Sequence, residues 1–267
     1  MDDKAKENWG SAGPYELYVG RWSRKIAVEF LDSIGVPQKS AWADVGCGTG
    51  ALTQCILYRC DPRSIAAIDK ADGFINTARQ TIEDSRVTFG TADAAKLPWD
   101  DHIFDAAVSG LVLNFVPDAR AMLSEMVRVT RPGGKVAAYV WDYAGGMEMM
   151  RHFWDAAIEI SPEDSKLDQA ERFPICQPEP LKALFNENRL KAVSCRAVDI
   201  PTVFKNFDDY WIPFLGKQGA APTYLASVDD MTREQIRSRL EARLPRSADG
   251  TIPLQARAWA VQGTVSR

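Results

Sequence analysis

The chain holds only two histidines, His102 and His152, and its five cysteines, Cys47, Cys55, Cys60, Cys176 and Cys195, form no C-x-x-C pair. An odd count without paired spacing excludes a disulfide framework and a zinc site, and reduced thiols point to a cytoplasmic protein. No apolar stretch approaches the roughly twenty residues that cross a bilayer, so no membrane partner is expected. Lysine and arginine are scattered without a run of five, and the net charge is −4; nucleic acid is not an expected partner either. Repeats and low-complexity tracts are missing. The start, Met1-Asp2-Asp3-Lys4-Ala5-Lys6-Glu7, is polar and mixed in charge, unlike a secretory signal. Residues 1–13 look frayed.

What is present begins with Ala41-Trp42-Ala43-Asp44-Val45-Gly46-Cys47-Gly48-Thr49-Gly50. An apolar strand runs into an acid and then a loop with glycine at every second position, followed by helix-like Ala51 to Leu57. Glycines 46, 48 and 50 permit backbone angles that a Cβ disfavours, and a new helix offers unpaired N–H groups. This is a nucleotide-sized turn. Ser64 to Asp69 reads as a second strand ending in an acid that can accept ribose hydroxyls, as beyond the carboxyl ends of doubly wound sheets. Gly46, Gly48 and Ala51 also satisfy a loose dinucleotide fingerprint, so this pair alone leaves a nicotinamide-dependent oxidoreductase open.

At 267 residues the chain is long for one average domain, but α/β folds reach this size as one unit. Tyr15 to Ile34 carries a helical stripe, stopped by Gly35-Val36-Pro37. Strands are expected near 41–45, 65–68, 86–89, 104–109 and 135–141, alternating with helices, which argues for a parallel sheet with crossovers. Pro117-Asp118 opens a helix with Met122, Leu123, Met126 and Val127 on one face. After Asp142 come a helix rich in Met and aromatic residues, a helix near 178–187, a strand near 190–199, an aromatic patch over 207–215, a charged helix over 229–244 and a last strand over 251–265.

Asp44-x-Gly46-x-Gly48-x-Gly50, Asp69, Gly90-Thr91-Ala92-Asp93-Ala94, Leu97-Pro98-Trp99, Phe104-Asp105-Ala106-Ala107-Val108-Ser109 and Arg131-Pro132-Gly133-Gly134 follow in order. As a series they resemble the class I S-adenosylmethionine-dependent methyltransferases, particularly small bacterial ones of quinone and small-molecule methylation. The resemblance is strong over residues 14–143 and weak beyond. It implies an α/β Rossmann-like fold with a seven-stranded, mostly parallel sheet, its last strand antiparallel, and helices on both faces. The expected organisation is a single domain over 1–267, with a cofactor-binding core at 14–143 and helical cap insertions at 144–188 and 204–248.

The resemblance further implies S-adenosyl-L-methionine as cofactor and a small-molecule acceptor, apolar or aromatic. Gly46, Gly48 and Gly50 would meet the cofactor with backbone. Asp44 would organise the loop and meet the amino group, and Asp69 would take the ribose diol, its competing role being a helix N-cap. Asp93 and Ala94 would serve the adenine, with Lys70 beside it or solvated, and Ser109 would border the methionine part through its carbonyl. Tyr18, Arg21 and Trp22 would cover the cofactor, Arg21 pairing its carboxylate and the rings shielding the sulfonium, against plain packing. Asn114 and Phe115 stand where many relatives carry two histidines.

No catalytic residue is assigned, because a sulfonium leaving group needs little acid–base help. His152 is a candidate base on the inserted helix and His102 an exposed loop residue. Cys47 reads as a small residue of the loop rather than a nucleophile. Trp141, Asp142 and Tyr143 would reach the pocket rim or form a turn. Met147, Met150, Phe153, Trp154, Tyr210, Trp211 and Phe214 would line an acceptor cavity or form core. A cofactor-binding regulatory protein without transfer is the remaining alternative.

Overall fold

Ala41–Val45 is buried at every position, as a strand covered on both faces must be. This strand, β1, stands in a seven-stranded sheet of order β3-β2-β1-β4-β5-β7-β6. The others are β2 (Ser64–Asp69), β3 (Val87–Thr91), β4 (Phe104–Gly110), β5 (Thr130–Trp141), β6 (Lys191–Phe204) and β7 (Ile252–Thr264). The computed structural model describes residues 16–266; Tyr15 and the frayed start expected over 1–13 lie outside the described residues. No helix among the described residues is long and apolar enough to cross a membrane.

The described residues divide into two compact units. One comprises Ser23–Val140, Ile175–Val198 and the chain from Trp259. Here β3, β2, β1, β4 and β5 pair in parallel. The chain order reverses beside β1, so the carboxyl ends of β1 and β4 flank the crevice where such sheets take ligands. At the start of β5, Gly133 N–H donates to Val265 O and Val265 N–H to Gly134 O, both at 3.0 Å. With the Thr130–Phe104 pairing to β4, this exchange lets the strand begin at Thr130, five residues before the expected 135.

Helices follow their apolar periods. Ala51–Arg59 (α2) buries Leu52, Thr53, Cys55, Ile56 and Leu57, and Asp72–Thr81 (α3) buries Ile75 and Ala78. Arg21–Ile34 (α1) ends at Gly35, whose φ is 64°. Ala119–Val129 (α4) is capped by Asp118, which accepts from Ala121 N–H. Its buried stripe is Met122, Leu123, Met126 and Val129; Val127 is only half-buried, because Met122, Met126 and Val129 fall on the i, i+4, i+7 face. Pro178–Glu187 (α7) falls in this unit. Its Glu187 pairs with Arg120 of α4.

The second unit comprises the described residues up to Trp22, Trp141–Pro174 and Asp199–Ala258. It holds Glu148–Ile160 (α5), Gln169–Arg172 (α6), Phe207–Trp211 (α8), Ala220–Ser227 (α9) and Asp230–Arg243 (α10). Its interior is aromatic. Phe153 stacks on Phe214 at 4.7 Å and 10°. The Tyr210 hydroxyl donates to Met149 O at 2.9 Å, and Trp154 Nε1–H to Gln169 Oε1 at 3.3 Å. Large rings contribute apolar area while their polar ends find partners. Arg151 ties α5 to the α6 cap through Asp168 Oδ2 at 2.6 Å. Here Asp142 N–H donates to Arg257 O; with the Gly133–Val265 contact at the other end of β5, this makes β7 antiparallel to β5, as expected.

Candidate functional site

Asp44, one residue before the end of β1, is wholly enclosed. Thr53, the third residue of α2, donates its hydroxyl to Asp44 Oδ2 at 2.6 Å. The Thr53 backbone N–H also bonds the carboxylate. This substitutes for the missing side-chain cap at Gly50, since early helical N–H groups need acceptors. The other oxygen, Oδ1, is buried without a hydrogen-bond partner among the described residues. Burial pushes the Asp44 pKa up to about 7; Asp69's negative charge adds to the rise and the Thr53 hydrogen bonds oppose it.

Between them runs the glycine loop. Gly46 and Cys47 donate their N–H groups to Ile68 O, each at 2.8 Å, and Gly50 N–H donates to Cys47 O. Gly46, Gly48 and Gly50 all have positive φ. Gly48 is the informative one: φ is 54° and a Cβ there would meet nothing within 4 Å. Its surface is open, so the glycine serves backbone geometry and leaves space for a ligand to approach.

Asp69 ends β2 and joins two segments. Its Oδ2 accepts from Gly48 N–H and its Oδ1 from Ala71 N–H, both at 2.9 Å. The helix cap is Ala71 itself, so Asp69 forms a turn ahead of α3 rather than its N-cap. Lys70 is exposed and lies 3.9 Å from Asp93. Asp93 Oδ1 accepts from Ala95 N–H, and its carbonyl from Lys96 N–H; Ala94 sits half-buried within this turn. Ser109, near the end of β4, is buried with no partner for its hydroxyl among the described residues. The same holds for the Thr49 hydroxyl and Asn114 Nδ2. Unsatisfied buried polar atoms are rare, and each marks a place where a ligand or water can complete the bonding.

Cys47 packs with Ala67, Ile75 and Phe89. Burial, and then the charges of Asp44 and Asp69, push its thiol well up. The thiol stays protonated and is no nucleophile. Thr53 was not singled out from the sequence. Its signal was there: one hydroxyl inside the apolar stripe of α2.

The remaining candidates, His102 apart, lie in the second unit. Tyr18 is buried edge-on to Phe214 at 5.6 Å. The Arg21 guanidinium lies 4.5 Å from the Trp22 ring centre and 4.7 Å from that of Phe204, and pairs with Asp209 at 2.8 Å. Trp141, Asp142 and Tyr143 are buried, and Asp142 Oδ2 accepts from Gly146 N–H, which makes this segment a turn. Met147, Met150, Phe153, Trp154, Tyr210, Trp211 and Phe214 are all buried. His152 is half-buried and its pKa is lowered, chiefly by burial. His102 is exposed, a ring nitrogen 3.1 Å from Thr130 O. No cluster of metal-ligating side chains occurs among the described residues.

A family model described as "Methyltransferase domain" matches residues 43–138. Malonyl-[acyl-carrier protein] O-methyltransferase of Acetivibrio thermocellus is 27% identical over 191 residues, covering 71% of this chain and 62% of that protein. Demethylmenaquinone methyltransferase of Bacillus licheniformis is 33% identical over 108 residues, covering 40% and 47%. The chain thus spans less than two thirds of either relative. In fold it is similar to phosphoethanolamine N-methyltransferase 2 of Haemonchus contortus, solved with S-adenosyl-L-methionine: TM-score 0.60, 16% identity, covering 95% of this chain and 56% of that one. These likenesses favour neither the nicotinamide nor the regulatory alternative. Residues 43–138 thus match a methyltransferase domain, and the chain carries them in a seven-stranded Rossmann-like sheet.

Proposed function

We propose that this chain transfers a methyl group from S-adenosyl-L-methionine to a small apolar or aromatic acceptor. The observation that carries this is Asp44: a wholly buried carboxylate with one oxygen clamped by Thr53 and the other unpartnered. A buried carboxylate oxygen without a partner is costly, and a ligand ammonium would satisfy it. The open face at Gly48 and the ribose-competent Asp69 complete the fit.

Asp44 would hold the amino group, and the backbone of Gly46, Gly48 and Gly50 would bound the ligand. Asp69 has accepting capacity beyond its two backbone donors for the ribose hydroxyls. Asp93 and Ala94 would border the adenine, with Lys70 screening the rim and Ser109 offering its carbonyl beside the methionine part. We assign Tyr18, Arg21 and Trp22 to packing, since each has ring or ionic contacts in its own unit. When bound, S-adenosyl-L-methionine supplies a methyl group on a positively charged sulfur whose leaving group departs neutral. The protein's task is then to orient and to exclude water, not to move protons. Relatives named for a demethylmenaquinone and a malonyl-[acyl-carrier protein] acceptor support a non-nucleic-acid acceptor.

Calorimetry tests the cofactor: S-adenosylhomocysteine should bind and NAD should not, and the opposite preference refutes the assignment. A methyl-transfer screen with labelled cofactor against metabolite pools then identifies the acceptor.

A further inference from the structure

We infer that Thr53 is a positioning residue, whose hydroxyl fixes the Asp44 carboxylate so that Oδ1 is kept for a ligand's ammonium group. This rests on the assignment of the glycine loop as an S-adenosyl-L-methionine site.

The geometry is specific. Thr53 is wholly buried on the sheet-facing side of α2, among Leu52, Cys55 and Ile56. A hydroxyl in that stripe must find an acceptor or cost stability. Its acceptor is Asp44 Oδ2 at 2.6 Å, a short, charge-assisted contact. The Thr53 N–H reaches the same carboxylate, so two donors from one residue hold one carboxylate. Asp44 is paired on both sides within the sheet, to Ala67 and Val108, and the clamp removes the freedom about its side-chain torsions. Oδ1 is left without a partner among the described residues. A carboxylate with one oxygen pinned and the other free discriminates for a cation placed on the free side.

The clamp also has an electrostatic consequence. Asp69 is the charged group that acts on Asp44, and like burial it favours the protonated acid. Thr53 is the group that opposes both. A protonated Asp44 cannot pair with an ammonium group, so Thr53 keeps the site competent near neutral pH. Valine matches threonine in shape but lacks the hydroxyl; serine keeps it.

The test compares wild type, Thr53→Val and Thr53→Ser by calorimetry against S-adenosylhomocysteine and against adenosine, which has no ammonium group. Carboxyl carbon NMR follows Asp44 in the ligand-free proteins. Thr53→Val should weaken S-adenosylhomocysteine about tenfold at neutral pH and leave adenosine within twofold. The Asp44 titration should move to higher pH, and Thr53→Ser should restore both. The inference is overturned if Thr53→Val keeps the wild-type affinity and titration, or if it weakens both ligands in proportion, which is the mark of a collapsed site. A wild-type protein that binds no S-adenosylhomocysteine would instead overturn the assignment of the site, and this inference with it.

Discussion

Gly48 N–H and Asp69 Oδ2 lie 2.9 Å apart, so the glycine loop after β1 and the acid ending β2 are one hydrogen-bonded unit. Asp69→Ala removes an acceptor from Gly48 and Ala71, and from the ribose of a bound cofactor. Hydrogen bonds to a charged group contribute roughly 1.5–3 kcal/mol each. Affinity for S-adenosylhomocysteine should fall at least about tenfold, equivalent to 1.4 kcal/mol. An unchanged dissociation constant in a folded variant would reduce Asp69 to a turn residue.

Asp44 trades stability for binding. Its folded pKa stands near 7 against an ordinary 3.8. A raised carboxyl pKa contributes stability that is full below the ordinary value and is lost as pH rises through about 7. Asp44→Asn removes the charge and keeps the shape. The variant should therefore be more stable than wild type above neutral pH, with a flatter stability profile between mildly acidic and mildly basic conditions. It should also bind S-adenosylhomocysteine at least about tenfold more weakly. Thermal melts across pH, paired with calorimetry, check both; a variant less stable than wild type at basic pH contradicts the raised pKa.

The strands, their alternation with helices and the acid–glycine loop were legible because each rests on a local pattern: buried runs, amphipathic periods and glycines at alternate positions. Asp44, Asp69 and the three glycines fall together for that reason. Thr53 escaped because its meaning is a contact across nine positions, invisible to a helical period that simply counts it as polar. Arg21 illustrates the opposite case. An arginine beside a tryptophan ahead of a nucleotide turn suggests a ligand carboxylate, but its partner Asp209 lies 188 positions away, and no local pattern announces it. The division of the chain was hidden likewise, because three discontinuous segments make up the second unit.

Gly134 explains part of the Arg131-Pro132-Gly133-Gly134 motif without reference to any ligand. A Cβ there would lie 2.6 Å from Thr130 Cγ2, 2.7 Å from Asp105 O and 2.9 Å from Arg131 O. Two of these are backbone atoms and cannot step aside cheaply. Gly134→Ala should cost about 1–3 kcal/mol, as for other overpacked sites, read from urea unfolding. Near-wild-type stability would mean that β5 shifts its register at little cost.

Arg21 and Asp209 supply a test of whether fold or ligand uses this arginine. The pair is partly buried, and the guanidinium also lies against Trp22 and Phe204. Burial alone would raise the Asp209 carboxyl, but the Lys205 N–H and Arg21 outweigh it and its pKa is lowered. That contribution is present above the ordinary carboxyl range and is lost as pH falls below it. An ion pair and a cation–π contact of this exposure together contribute on the order of 1–2 kcal/mol. Arg21→Met, Asp209→Asn and the double variant form a cycle. The expected result is a coupling in unfolding free energy of about 0.5–1 kcal/mol that vanishes in strong acid, with S-adenosylhomocysteine affinity within twofold of wild type in all three. If Arg21→Met loses tenfold in affinity while Asp209→Asn loses none, the arginine leaves Asp209 for a ligand carboxylate, and the packing assignment is wrong. The two outcomes differ in sign of dependence: packing couples Arg21 to Asp209 in stability, whereas ligand capture makes the two compete, so removing Asp209 would then tighten binding.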